Sequence, residues 1–151
     1  MLELGEKFFG TKKNPTQIPI TMRSLRKLLR LHPKAFVYKT NKNGNPVSWV
    51  VTVPITKRLM DEFLAGRITE KQLFDMTESQ ERYEAIYLCS SFTVPEHRKK
   101  GYAMELLIDA IKSIPMKDKL QLFSWPITKE GETLVKRIGE RFKTKVLIQK
   151  K

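Results

Sequence analysis

Four consecutive residues, Arg98-Lys99-Lys100-Gly101, stand where one hydrophobic period ends and another begins. Before them, Ile86, Leu88, Phe92 and Val94 alternate with Tyr87, Cys89, Ser91 and Thr93, a period of two that predicts a strand. Pro95 ends it, because proline has no N–H to give to a sheet ladder. After them, Met104, Leu107, Ile108 and Ile111 recur every three to four residues, which predicts an amphipathic helix. The first N–H groups of a helix have no partner within it, and they mark the positive end of its dipole. A glycine at that point lets backbone approach a ligand closely. Glu84 to Ile114 therefore reads as strand, basic turn and helix, with an anion site suited to phosphate or pyrophosphate.

The surrounding pattern supplies the elements that hold this unit. Thr21 is a candidate N-cap for a helix to about Leu31, stopped by Pro33, with Met22, Leu25, Leu28 and Leu29 as its apolar face. Ala35 to Thr40 and Pro46 to Ile55 read as two strands. The turn between them contains Asn43-Gly44, a dipeptide that accepts positive φ. Residues 57–77 read as two short helices separated by Gly66, with Leu59, Phe63, Leu73, Phe74 and Met76 turned inward. Thr69 and Gln72 have the spacing of a capping box. Leu120, Leu122 and Phe123 fall in a strand that ends at Trp125-Pro126. Thr128 caps a helix to about Arg141, with Leu134, Val135 and Ile138 inside, and 143–149 reads as a last strand. The class is α/β, one domain over residues 1–151.

Composition excludes several function classes. Cys89 is the only cysteine, so no internal disulfide forms and a reducing compartment is expected. His32 and His97 are far apart, with no cysteine pair near either, so no metal is expected. The opening MLELGEKFFG lacks a basic start followed by a long apolar run, so no signal peptide is expected. The longest apolar run, Val47 to Ile55, is too short to span a bilayer. A cytosolic location follows as the expectation. The net charge is +13, and the first sixty residues hold twelve Lys and Arg against Glu3 and Glu6. Nucleic acid or the ribosome is one partner class that would explain the excess; solubility is the other reading.

Arg98-Lys99-Lys100-Gly101-Tyr102-Ala103 matches the pattern (Gln/Arg)-x-x-Gly-x-(Gly/Ala). Pro95 completes a Pro-x-x-Arg spacing, and Leu106-Leu107 follow as an aliphatic pair. In this run the chain resembles the GNAT superfamily of acetyl-CoA-dependent N-acetyltransferases. An ordinary strand-to-helix turn would account for the glycine and the lysines, but not for the whole run. The resemblance implies a GNAT fold: a mixed sheet of about six strands with helices on both faces. It implies acetyl-CoA as cosubstrate, with the pyrophosphate on Arg98, Lys99, Lys100, Gly101, Tyr102 and Ala103, and Thr128 as a further contact. The acetyl-pantetheine arm would enter a gap between the signature strand and the strand at 120–125. There it would bond the backbone of Ser91, Phe92, Thr93 and Val94. The family joins its strands more briefly, so residues 57–83 read as a helical insertion beside the substrate mouth.

Acetyl transfer to an amine needs a proton acceptor for the amine, a donor for the carbonyl oxygen and a proton for the leaving thiolate. Many family members place a tyrosine on the helix after the second gap strand as general acid. The match sets Val135 at that position, which leaves the proton to water or another group, or makes activity weak or absent. Some members carry a catalytic glutamate on the signature strand, fourteen residues before the glycine, where this chain has Tyr87. Tyr87 is the first candidate for acid–base work, with Glu84 and Tyr83 behind it and Ser124 as a donor at the gap mouth. A strand tyrosine that simply packs its ring is the plain alternative. Cys89 lacks an adjacent base and reads as a small core residue.

The expected acceptor is an amine-bearing small molecule or protein. The acids of the insertion (Asp61, Glu62, Glu70, Asp75, Glu78, Glu81) suit a polyamine, an aminoglycoside or a lysine side chain. The basic N-terminal half suits a substrate carried on a polyanion, and the two pull in opposite directions. A non-catalytic GNAT-fold protein that senses CoA or docks nucleic acid is the alternative function; an unrelated βα fold with a chance signature is the third. Gly101→Glu is expected to abolish CoA binding in calorimetry, since its carboxylate would meet the pyrophosphate. Normal CoA affinity in that variant would remove the site.

Overall fold

The computed structural model describes residues 16–19, 21–126 and 128–149. In order, the elements are α1 (Met22–Leu31), β1 (Phe36–Thr40), β2 (Pro46–Ile55), α2 (Lys57–Leu64), α3 (Glu70–Met76), β3 (Ala85–Thr93), α4 (Tyr102–Ser113), β4 (Leu122–Ser124), α5 (Lys129–Phe142) and β5 (Val146–Ile148). Strand and helix positions follow the sequence periods closely. The caps explain the helix starts: Thr21, Thr56, Thr69 and Thr128 each accept an N–H bond from the first turn of their helices. At Thr69 the bond is reciprocal, because the Gln72 side chain accepts from the Thr69 N–H at 2.9 Å.

The five strands lie in sequence order in one open sheet. β1, β2 and β3 are antiparallel; β3, β4 and β5 are parallel. Among the described residues there are five strands, not about six. Residues 16–19, ahead of α1, are not in a strand, and the Ile18 N–H bonds the Glu70 carboxylate at 2.8 Å instead of a ladder partner. Helices cover both faces. Leu28 and Leu31 of α1, Leu59 and Phe63 of α2 and Leu73 and Phe74 of α3 pack on one face, against Trp49, Val51, Val53 and Tyr87. Leu107 and Ile111 of α4 and Ile138 of α5 pack on the other, against Val50, Ile86, Leu88 and Leu122.

Two expectations shift. Met22, Leu29 and Met76 are about half exposed, so the inward stripes of α1 and α3 are narrower than their apolar residues suggest. The alternation of β3 also breaks. Val51 pairs with Ser90 and Thr52 with Leu88, which leaves Cys89 as a bulged residue. The bulge moves Phe92 to the face of Tyr87, while Ile86 and Leu88 face α4. A strict period of two put Phe92 with Leu88. Within residues 57–83, Leu59, Phe63, Leu73 and Phe74 turn inward as expected, and α2 and α3 supply much of the core on their side.

Replacing Thr69 by Ala removes the side-chain arm of the capping box, the bond its hydroxyl accepts from the Gln72 N–H, and leaves the backbone arm in place. The expected cost is about 1 kcal/mol, seen as a lower urea midpoint with an unchanged slope. An unmoved midpoint would mean that α3 does not depend on its cap.

Candidate active site

β3 and β4 pair over three residues only, Ile86 with Leu122, Tyr87 with Phe123 and Leu88 with Ser124. Local chemistry ends the ladder there. The Ser124 hydroxyl donates to the Leu88 carbonyl at 3.0 Å, the Ser124 carbonyl accepts from the Gln149 N–H at 3.0 Å, and Pro126 has no N–H to continue. β3 runs on to Thr93 with its β4-side edge open. The Val94 N–H bonds the Val47 carbonyl, so alternation turns the amides of Phe92 and Val94 towards β2 and those of Ser91 and Thr93 towards the open edge.

A cavity of about 120 Å³ passes through this opening. On the α4 and α5 side it is walled by Leu88, Leu107, Gly131, Leu134 and Val135. On the other side it is walled by Trp49, Val51, Leu25 and Leu28, with Gln17, Glu70 and Cys89 as its polar end. Ser90, Ser91, Ser124, Trp125 and Thr128 line the passage between.

Glu70 is the charged group at that end and is only 7% exposed. Its Oε1 accepts from the Tyr87 hydroxyl at 2.6 Å, and Oε2 accepts from the Ile18 N–H. The Cys89 thiol lies 3.8 Å from Oε1. Burial raises the Glu70 carboxyl above its ordinary value of 4.5, and the bonds from Tyr87, Ile18 and Cys89 oppose the rise. Burial first, then the neighbouring Glu70 charge, pushes the Tyr87 hydroxyl and the Cys89 thiol well above their ordinary values. Cys89 is thus held as a thiol, the poor nucleophile its sequence setting suggested. The Tyr87 ring is locked between Phe63 at 5.1 Å and Phe123 at 5.0 Å.

The structure brings some of the sequence-derived residues together and separates others. Tyr87, Ser124, Ser91 and Thr128 meet at or behind the cavity. Glu84 does not: it lies just before β3, where its carboxylate accepts from the Lys57 N–H at the start of α2. Tyr83 is equally remote, its hydroxyl donating to the Leu31 carbonyl at 2.6 Å. The Phe92 side chain packs on Trp49 in the core, and the Thr93 hydroxyl pairs with Ser48 at 2.9 Å.

The basic turn leads into α4. Arg98 folds back so that its Nε donates to the Thr93 carbonyl at 3.0 Å. Lys99 and Lys100 are exposed. Gly101 is the N-cap at φ 78°, with no side-chain bond to the first turn, so side chains leave the leading amides of α4 uncapped. The Tyr102 ring stacks on His97 at 5.9 Å and lies under the Lys39 ammonium at 4.6 Å. Ala103 turns towards the core.

Sequence reading counted Glu70 only among the acids of the insertion. One signal was present: Glu70, Leu73 and Phe74 stand at i, i+3 and i+4, the spacing of a single helix face, and all three are buried. Gln17 gave no signal at all.

Among the described residues, no helix is long and apolar enough to cross a membrane, and no group of three His, Cys, Asp or Glu could hold a metal. No protein-family model, curated protein or solved structure matches the chain.

The raised Glu70 carboxyl makes a prediction about stability. A folded value above the unfolded one favours the protonated, folded form, so this contribution is full below about pH 4.5 and is lost as pH rises through the raised value. Wild-type protein should therefore lose stability relative to Glu70→Gln as pH increases from 4.5, in urea titrations at a series of pH values. Parallel curves for the two proteins would show that Glu70 titrates as an ordinary carboxyl.

Proposed function

We propose that the chain is an acetyl-CoA-dependent N-acetyltransferase of GNAT type, passing acetyl directly from the thioester to a primary amine. The observation that carries this reading is the cavity through the sheet, opened where β3 and β4 part and ending on Glu70, whose Oε1 accepts from the Tyr87 hydroxyl behind it. Two reactants can meet there from opposite faces, which is what a direct transfer requires. The uncapped amides at the start of α4, with Arg98, Lys99 and Lys100 beside them, suit the CoA pyrophosphate. The open-edge amides of Ser91 and Thr93 suit the amide-bearing pantetheine arm.

Glu70 is the proton acceptor in this reading. A carboxyl raised by burial is a stronger base than an exposed one and better matched to an amine near neutral pH. Attack forms the N–C bond and breaks the C–S bond; the amine's proton goes to Glu70, and the thiolate takes one from solvent in the passage. Tyr87 is a positioning residue, its hydroxyl fixing the carboxylate. Val135, on the wall of the passage, brings no hydroxyl to the thiolate. That favours slow turnover, and it is the one observation on the side of a non-catalytic CoA-binding protein.

The decisive measurement is thermal unfolding with and without acetyl-CoA, followed by thiol release with an amine panel. Ligand at a hundred times its Kd should add about 2.7 kcal/mol of stability. Glu70→Gln should keep that stabilisation and lower thiol release by about a hundredfold, within the range of general-base effects. No stabilisation at millimolar acetyl-CoA would end the reading. Stabilisation without thiol release from any amine would leave the CoA-binding alternative.

A further inference from the structure

Gln17 has no place in the chemistry above, yet it is as buried as Glu70, at 7% exposure. It lines the cavity, and its Oε1 is buried with no hydrogen-bond partner. Such an orphan acceptor costs about 1–3 kcal/mol unless something pairs with it. The next residue, Ile18, donates its N–H to Glu70 Oε2, so the segment that bears Gln17 is tied to Glu70, and both side chains line the cavity. A carboxylate oxygen has two acceptor sites, and Oε2 uses one of them on Ile18. Among the described residues the polar end of the cavity therefore offers two acceptors, Gln17 Oε1 and Glu70 Oε2, beside the weak Cys89 thiol and the Gln17 amide's own N–H groups.

We propose that Gln17 Oε1 and Glu70 Oε2 form the acceptor subsite, and that it takes a single primary amine on an apolar stem. This rests on the acetyltransferase reading and adds the substrate class. A neutral primary amine has two N–H donors and one lone pair. Two acceptors hold both N–H groups and leave the lone pair directed at the passage, where the thioester would lie. The walls above the subsite are Leu25, Leu28, Phe36, Trp49 and Val51, which suit alkyl or aryl carbon. Among the described residues they hold no second carboxylate. Asp61, Glu62 and Asp75, which the sequence offered as attractors for a polycation, are engaged by Lys57, Arg67 and Lys71 and lie outside the cavity, as do Glu78 and Glu81. A second ammonium group would be buried without a partner, at a cost of several kcal/mol. A polyamine or aminoglycoside is the wrong class; a side chain or small molecule with one terminal amine is the right one.

The test is calorimetric titration of n-hexylamine and of spermidine into the full chain, without acetyl-CoA, in wild-type, Gln17→Leu and Glu70→Gln proteins. Hexylamine should bind wild type at least about tenfold more tightly than spermidine, and each substitution should weaken hexylamine about tenfold, the scale of one hydrogen bond. Circular dichroism checks folding; if Glu70→Gln does not fold, Gln17→Leu alone decides. Spermidine binding as tightly as hexylamine, no hexylamine binding, or wild-type hexylamine affinity in folded Gln17→Leu would each overturn the subsite. A parallel acetyl-CoA titration separates the two ideas. Hexylamine binding as described without acetyl-CoA binding sinks the transferase reading and keeps the subsite; the reverse sinks the subsite alone.

Discussion

The cavity in this fold depends on a hydrogen-bond ladder that stops early. Two parallel strands in the middle of a sheet would ordinarily pair along their whole length, because an unpaired buried backbone group is costly. Here β3 and β4 pair for three residues and then part. The carbonyl of Leu88, which would be stranded at the fork, is satisfied by the Ser124 hydroxyl. Pro126 removes the donor that would otherwise invite continued pairing. The bulge at Cys89 twists β3 at the same level on its other edge. Three local devices thus keep open an edge that the sheet would otherwise close.

Opening a sheet exposes its core, and the α1–α3 side answers that problem. Phe63 of α2 covers Tyr87 and Phe123 just before the fork. α3 is started by a capping box, which fixes Glu70 at its first turn beneath the opening. Lys27 of α1 donates to the carbonyls of Phe74 and Asp75 at the end of α3. These ties hold a carboxylate where burial alone would expel it. The cost of burying it is offset by the bonds from Tyr87 and Ile18, each charge-assisted and worth more than a neutral pair. The same contacts that stabilise the wall tune the group inside it.

Much of the architecture could be read from the chain. Periods of two and of 3.6 located β2, β3, α1, α4 and α5, because burial on one face imposes those periods on the residue types; the 3-10 turn at Pro95–His97 carried no such period. Cap residues located the starts of α1, α3 and α5 to within a residue. Where this reasoning erred, a local effect had reset the period or the partner. The bulge at Cys89 changed which face Phe92 occupies, and nothing in Cys89-Ser90-Ser91 marks a bulge. Glu84, close to Tyr87 in sequence, is separated from the cavity because β3 carries it to the far end of the sheet. Glu70, seventeen residues away from Tyr87 in the chain, touches it.

By itself the sequence determined an α/β domain with a basic, glycine-bearing turn into α4, because those features are local: residue type, spacing and backbone preference suffice. Only the tertiary structure decided that β3 and β4 part beyond Leu88, that the opening runs through the sheet, and that Gln17, Glu70, Tyr87 and Cys89 meet at its end. Those facts depend on contacts between segments far apart in the chain. No short-range pattern encodes which distant carboxylate a buried hydroxyl will find; packing of α3 against the face of β3 makes that choice.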